Sequence, residues 1–140
     1  MLRRVYAARG VESAAQLDKS LRALPAPDAL TGLTDAVTLL EEALHRRWRV
    51  AIVADLDADG ATSCALAVRA LRALGAAEVC YVVPNRFVHG YGLTPEIVAV
   101  AAQRRPDLLI TVDNGISSHE GVRAAQALGM RVLITDHHLP

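Results

Sequence analysis

The chain has 140 residues, 52% of them hydrophobic, enough for one domain with a packed core and too apolar for a disordered chain. Fifteen basic and fifteen acidic side chains cancel to a formal net charge of zero, so no global charge argues for nucleic acid or a membrane surface. No window approaches the ~18 apolar residues of a membrane span, and Met1 to Tyr6 carry no secretory h-region, so a soluble cytoplasmic protein without a membrane partner is expected.

Residues 1–48 read as a helical lead-in. Ser13 can cap a helix running to Leu24, where Pro25 and Pro27 interrupt it. Thr34 or Asp35 can cap a second, with Ala36, Leu39, Leu40 and Leu44 on one apolar face and the basic run His45-Arg46-Arg47 at its end. From Trp48 the pattern alternates. Arg49 to Ala54 is a short apolar run, consistent with a strand buried on both faces. Gly60 to Leu74 is helical in pattern and stops at Gly75. Val79 to Val83 is a second strand, and the loop from Asn85 to Leu93 follows Pro84. Thr94 caps the next helix, with Pro95 at its first position. Leu108 to Val112 is a third strand. Ser117 with Glu120 forms a capping-box pattern for a helix ending near Gly129, and Arg131 to Thr135 is a fourth strand. This order predicts an α/β domain over 49–140: a parallel sheet of at least four strands with helices on both faces.

Three polar clusters stand at the downstream ends of strands one, three and four: Asp55-Leu56-Asp57-Ala58-Asp59-Gly60, Val112-Asp113-Asn114-Gly115 and Asp136-His137-His138. In open parallel sheets, that edge binds ligands. Three alternate acids repel unless cations or donors compensate them. A calcium loop of the EF-hand type needs glutamate at position 12, and counting from Asp55 that position is Leu66. The acid-rich set with imidazole suits divalent cations such as Mg²⁺ or Mn²⁺, and two ions better than one. Asp113, alone on its strand, is the candidate to lie between them. Taken singly, Val112 to Gly115 reads equally as a turn, and Asp136 to His138 equally as a helix cap with exposed histidines. Cys64 and Cys80 lack metal-like spacing and read as small buried hydrophobes in a reducing compartment. Arg46, Arg47, Arg49, Arg104 and Arg105 read as solvated flanks, and Trp48 as packing.

The three clusters, in this order and spacing, resemble the first three motifs of the DHH phosphoesterase superfamily. Val83-Pro84-Asn85-Arg86, Gly90-Tyr91-Gly92-Leu93 and Thr135 to Pro140 are similar to its branch of single-strand-specific 5′→3′ DNA exonucleases, as is the lead-in from Arg4 to Val11. The resemblance implies metal-dependent phosphodiester hydrolysis in DNA repair and recombination by a monomer. Its implied partners are single-stranded DNA, single-strand-binding protein and a RecQ-type helicase. It implies two divalent cations, Mn²⁺ ahead of Mg²⁺, held by Asp55, Asp57, Asp59, Asp113 and His137. Asp55 would stand in for a histidine that other branches carry where Val53 stands here. It implies His138, Asp113 and Asp136 as catalytic, with His138 contacting the scissile phosphate and Asp136 supporting His137. Asn85 and Arg86 can contact substrate, Arg86 equally being a surface side chain. The superfamily has a fourth motif with a further aspartate, absent from these 140 residues, so 49–140 reads as the N-terminal part of that domain and little nuclease activity is expected from it alone. Another DHH phosphoesterase, acting on short oligonucleotides or cyclic dinucleotides, is the enzyme alternative. A non-catalytic replication scaffold is the alternative of a different class, against which the intact acids and histidines argue.

Overall fold

The computed structural model describes residues 2–139, with the side chain of Arg86 outside the described part, as is Pro140 of the last motif. Contacts divide the chain into two compact units, Met1–Leu33 and Thr34–Pro140.

In the first unit, α1 (Leu2–Ala8) precedes three short 3-10 turns at Ala14–Leu17, Leu21–Ala23 and Pro27–Ala29, and none of these elements buries a residue. The single helix expected from Ser13 to Leu24 does not form. Gln16 Oε1 accepts the N–H groups of Glu12 at 2.6 Å and Ser13 at 3.0 Å, which closes one turn. Asp18 then turns to extended backbone, and its carboxylate accepts the Ser20 N–H at 2.8 Å. Such side-chain bonds compete with helix continuation. A short segment with no buried face has little to oppose them.

The second unit is built on β1 (Arg49–Ala54), β2 (Glu78–Val82), β3 (Leu108–Val112) and β4 (Arg131–Thr135). All pairings are parallel, in the order β2-β1-β3-β4. The helices are α2 (Leu33–His45), α3 (Ala58–Ala73), the single turn α4 (Arg86–His89), α5 (Pro95–Ala102) and α6 (His119–Ala127). Alternation along the central strands explains the two cores. Val50, Ile52 and Ala54 of β1 and Leu108, Ile110 and Val112 of β3 pack with Ala43 of α2 and Cys64, Val68 and Leu71 of α3. Val53 and Leu109 point the other way, to Ile97, Val98 and Ala101 of α5 and Ala125 of α6. Both central strands are thus buried on both faces, which is why they read as unbroken apolar runs. Each large aliphatic side chain so buried stabilises the unit by roughly 1.5–3 kcal/mol before entropy is counted.

The chain leaves β1 toward β2 and later returns past it to β3 and β4. That reversal places the ligand-binding switch point of the sheet between β1 and β3. Two helix starts differ from the pattern. α3 begins at Ala58, two residues before Gly60, because Asp57 caps it. α6 begins after Ser118, and the Ser117–Glu120 capping box does not form; the Ser118 hydroxyl instead accepts the Leu93 N–H at 3.0 Å. Thr94 caps α5 as the pattern predicts, accepting the Ile97 N–H at 3.4 Å. Among the described residues no helix is long and apolar enough to cross a membrane.

Candidate metal centre

Asp55 is the first residue past β1 and is buried, 9% exposed. Its Oδ1 accepts the Leu56 N–H at 2.6 Å. Asp57 is exposed and caps α3, its Oδ1 accepting the Gly60 N–H at 3.1 Å. Gly60 makes this junction possible: a Cβ there would overlap the backbone carbonyl of Asp55. The helix therefore starts directly against the strand end, and the Asp-x-Asp-x-Asp-Gly spacing is partly a packing requirement. Asp59 falls in the first turn of α3, exposed, where a negative charge suits the helix dipole.

At the end of β3, Asp113 has φ 64°, in the left-handed region, while its side chain is 5% exposed. That conformation costs a non-glycine residue on the order of 1 kcal/mol. Ahead of that turn, the Asp113 N–H continues the parallel ladder to the Thr135 carbonyl of β4 at 3.0 Å. Gly115 follows at φ 114°, and a Cβ there would lie 2.9 Å from both Ile134 Cδ1 and Thr111 Oγ1. The strand end is thus held close to β4, and Asp113 is fixed by backbone on both sides.

At the end of β4, Asp136 organises the turn. Its Oδ2 accepts the Ile116 N–H at 2.9 Å, and its Oδ1 accepts the N–H groups of His137 at 2.8 Å and His138 at 3.1 Å. The His138 ring reaches the same Oδ1 through Nδ1 at 2.7 Å. Burial pushes the Asp136 carboxyl up, but the Ile116 N–H, the His138 ring and the two following N–H groups outweigh it and hold the group below the ordinary carboxylate value. The same pair, aided by the charges of Asp113 and Asp55, raises His138 against the lowering effect of burial. The support of His137 by Asp136 runs through the backbone N–H, not through the ring. Asp136 bonds the His137 backbone, and its ring partner is His138, because the turn carries the His137 ring to Asp113 instead, with Nε2 2.8 Å from Oδ1.

Ligand atoms from Asp55, Asp57 and Asp113 all lie within 4.8 Å of one another, and so do those from Asp113, His137 and His138. Asp113 belongs to both groups. Asp59, exposed in the first turn of α3, and Asp136, whose oxygens accept the N–H groups of the turn, belong to neither. Carboxylates with imidazole at this spacing fit a divalent cation. Beside them opens a concavity of about 520 Å³ lined by Asp55, Asp57, Tyr91, Ser117, Asp136 and His138, among others. Tyr91 reaches in from the 85–94 loop, its hydroxyl 3.4 Å from His138 Nδ1 and the rings edge to face at 6.1 Å. Asn85 is exposed at the base of that loop and caps α4, Oδ1 accepting the Phe87 N–H at 3.0 Å; the Arg86 side chain lies outside the described part. Pattern reading had no means to place Asn114, which is 2% exposed and whose amide bonds across to β1. Its only sequence signal is its place between Asp113 and Gly115.

The fold and site together define an α/β domain that gathers carboxylates and imidazoles for a divalent cation at the carboxyl edge of a parallel sheet. The chain belongs to the DHH family: the model of the family's N-terminal domain matches residues 49–140. It is 56% identical over 140 residues to the single-stranded-DNA-specific exonuclease RecJ of Dickeya dadantii and 51% identical to that of Escherichia coli, covering 100% of this chain and 24% of each relative. The Thermus thermophilus RecJ is 42% identical over 135 residues, 96% of this chain and 19% of the relative. Among solved structures, exonuclease RecJ bound to manganese superposes with a TM-score of 0.72 at 44% identity, covering 84% of this chain and 29% of that one. Thermus thermophilus RecJ in complex with Mn²⁺ gives 0.68 at 39% identity, covering 96% and 18%. The chain spans about a quarter of the length of the curated relatives it matches.

Proposed function

We propose that this chain is the metal-holding part of a cytoplasmic exonuclease of the RecJ type, hydrolysing single-stranded DNA from its 5′ end. Residues 49–140 supply the N-terminal part of the DHH domain, and 1–48 its lead-in. The observation that carries the reading is the pair of ligand groups meeting at Asp113. In this reading Asp55, Asp57 and Asp113 hold one cation and Asp113 with His137 a second, Mn²⁺ being preferred because imidazole joins the carboxylates. Manganese in the two RecJ structures supports that choice. Bound divalent cations supply charge neutralisation and a water acidic enough to attack a phosphodiester at neutral pH.

The chain's own side chains do the rest. His138 lines the cleft, and Asp136 holds its Nδ1, so Nε2 is the atom left to donate to a phosphate oxygen. Asp113, buried at the strand end, keeps the two ligand groups in one register. Asn85, at the base of the loop that delivers Tyr91, and Arg86 are the candidates to contact the DNA end.

The test is Mn²⁺-dependent release of nucleotides by the complete polypeptide from long 5′-phosphorylated single-stranded DNA, set against dinucleotides. The reading expects digestion of the long strand and its loss in Asp113→Ala. Preference for dinucleotides would select another DHH phosphoesterase, and full activity in Asp113→Ala would contradict the site.

A further inference from the structure

We infer that Asn114 is a positioning residue of the metal centre: its buried amide staples the carboxyl ends of β1 and β3 and so sets the separation of Asp55 from Asp113. The inference rests on the two-cation reading above and names what holds that site in shape before metal arrives. Asn114 Nδ2 donates to the Val53 carbonyl at 3.2 Å and to the Val112 carbonyl at 2.9 Å, joining positions 61 residues apart in sequence. The backbone ladder between the two strands ends at the Ala54–Val112 pair. Past it, Asp113 turns left-handed and gives its N–H to Thr135 of β4. The Asn114 side chain therefore reinforces the last rung between β1 and β3, directly before the strands release Asp55 and Asp113.

The chemistry of the position argues the same way. Asn114 is 2% exposed, and its Oδ1 is buried with no hydrogen-bond partner among the described residues. A buried, half-satisfied amide is a poor choice for packing alone, since an apolar side chain of similar size fills the space without that penalty. Its two donors explain it. They add a second hydrogen bond to two buried carbonyls at the ends of the strands. The strain at Asp113 is sustained on the same few residues, as expected where surrounding structure over-determines a functional conformation.

The experiment uses the complete polypeptide and Mn²⁺ alone. Asn114→Ala is expected to weaken Mn²⁺ binding about 10- to 100-fold by calorimetry, the range typical of losing a group that orients ligands. It should also erase the spin-coupled Mn²⁺ pair signal in electron paramagnetic resonance. In the metal-free state, amide exchange should speed up at the ends of both β1 and β3. Val98→Ala, a core truncation in α5 outside the ligand set, is the control: it loses thermal stability yet should bind Mn²⁺ within about twofold of the parent. If Asn114→Ala does not accumulate as folded protein, Asn114→Ser, which keeps one donor, decides, with a smaller loss of affinity expected. Unchanged Mn²⁺ affinity in the Asn114 variants, or an equal loss in Val98→Ala, would overturn the inference. A parent protein that binds Mn²⁺ without a coupled pair would defeat the two-cation reading only, while one that binds no Mn²⁺ leaves the metal-free exchange at both strand ends to judge the staple.

Discussion

The two halves of the metal centre are held by different physics. Asp55 and Asp113 leave the two central strands, are buried, and take their positions from the sheet itself. His137 and His138 leave the edge strand β4, are exposed, and take their positions from one carboxylate, Asp136, which accepts four hydrogen bonds. The acid half is preorganised by the core; the histidine half is preorganised by a local network that one substitution can dismantle. Mutations should therefore separate the halves by the kind of damage they do.

The largest expected effect is at the residue both halves share. Asp113→Gly should abolish Mn²⁺-dependent cleavage by the complete polypeptide, by about 10³-fold or more if several kcal/mol of transition-state stabilisation are lost. The same change should leave the metal-free protein as stable as before or more stable by about 1 kcal/mol, since glycine accepts φ 64° without strain. Thermal melts of the metal-free protein beside nuclease assays would check this; destabilisation together with retained cleavage would reverse the assignment.

Next in size is the packing of the acid half. Gly60→Ala places a methyl group on the Asp55 carbonyl and must push α3 away from β1. A loss of about 1–3 kcal/mol is expected from chemical denaturation, together with weaker Mn²⁺ binding through displaced Asp57. A variant with unchanged midpoint and affinity would show that the helix start is softer than the close contact implies.

On the histidine side, Asp136→Asn should keep the core intact. The amide retains one acceptor and places donors against N–H groups, so a loss of about 1–3 kcal/mol is expected, with local exchange faster over 136–139 and unchanged at β1. Exchange that rises equally at both strand ends would erase the distinction between the halves. The smallest effect is expected of Tyr91→Phe. Removing a hydroxyl 3.4 Å from His138 should cost less than about 1 kcal/mol and leave Mn²⁺ affinity unchanged.

How much of this was legible in sequence follows the same division. The two central strands announce themselves as unbroken apolar runs because both faces are buried, and the polar clusters after strands one, three and four fall on one edge as parallel topology requires. Strand count, fold class and the gathering of Asp55, Asp57, Asp113, His137 and His138 were therefore readable. What was not readable depends on register or on one dihedral angle. Asn114 reaches Val53 only because β1 and β3 are adjacent, and Asp113 turns left-handed only in context. Asp57 gives an oxygen to the Gly60 N–H, which starts α3 early and carries Asp59 away from the other acids. Asp136 bonds the ring of His138, where the family resemblance implied support of His137. The Ser13–Leu24 helix failed for a simpler reason: local capping signals were present, but no face of the segment is buried to reward them.

The most direct test of the account is a crystal of the complete polypeptide soaked in Mn²⁺ and measured at the manganese absorption edge. The account predicts two anomalous peaks ~3.5–4 Å apart, with a carboxylate oxygen of Asp113 on both, Asp55 and Asp57 on one and His137 on the other. A single peak that Asp113 does not touch, or ions bound away from the carboxyl ends of β1 and β3, would contradict it.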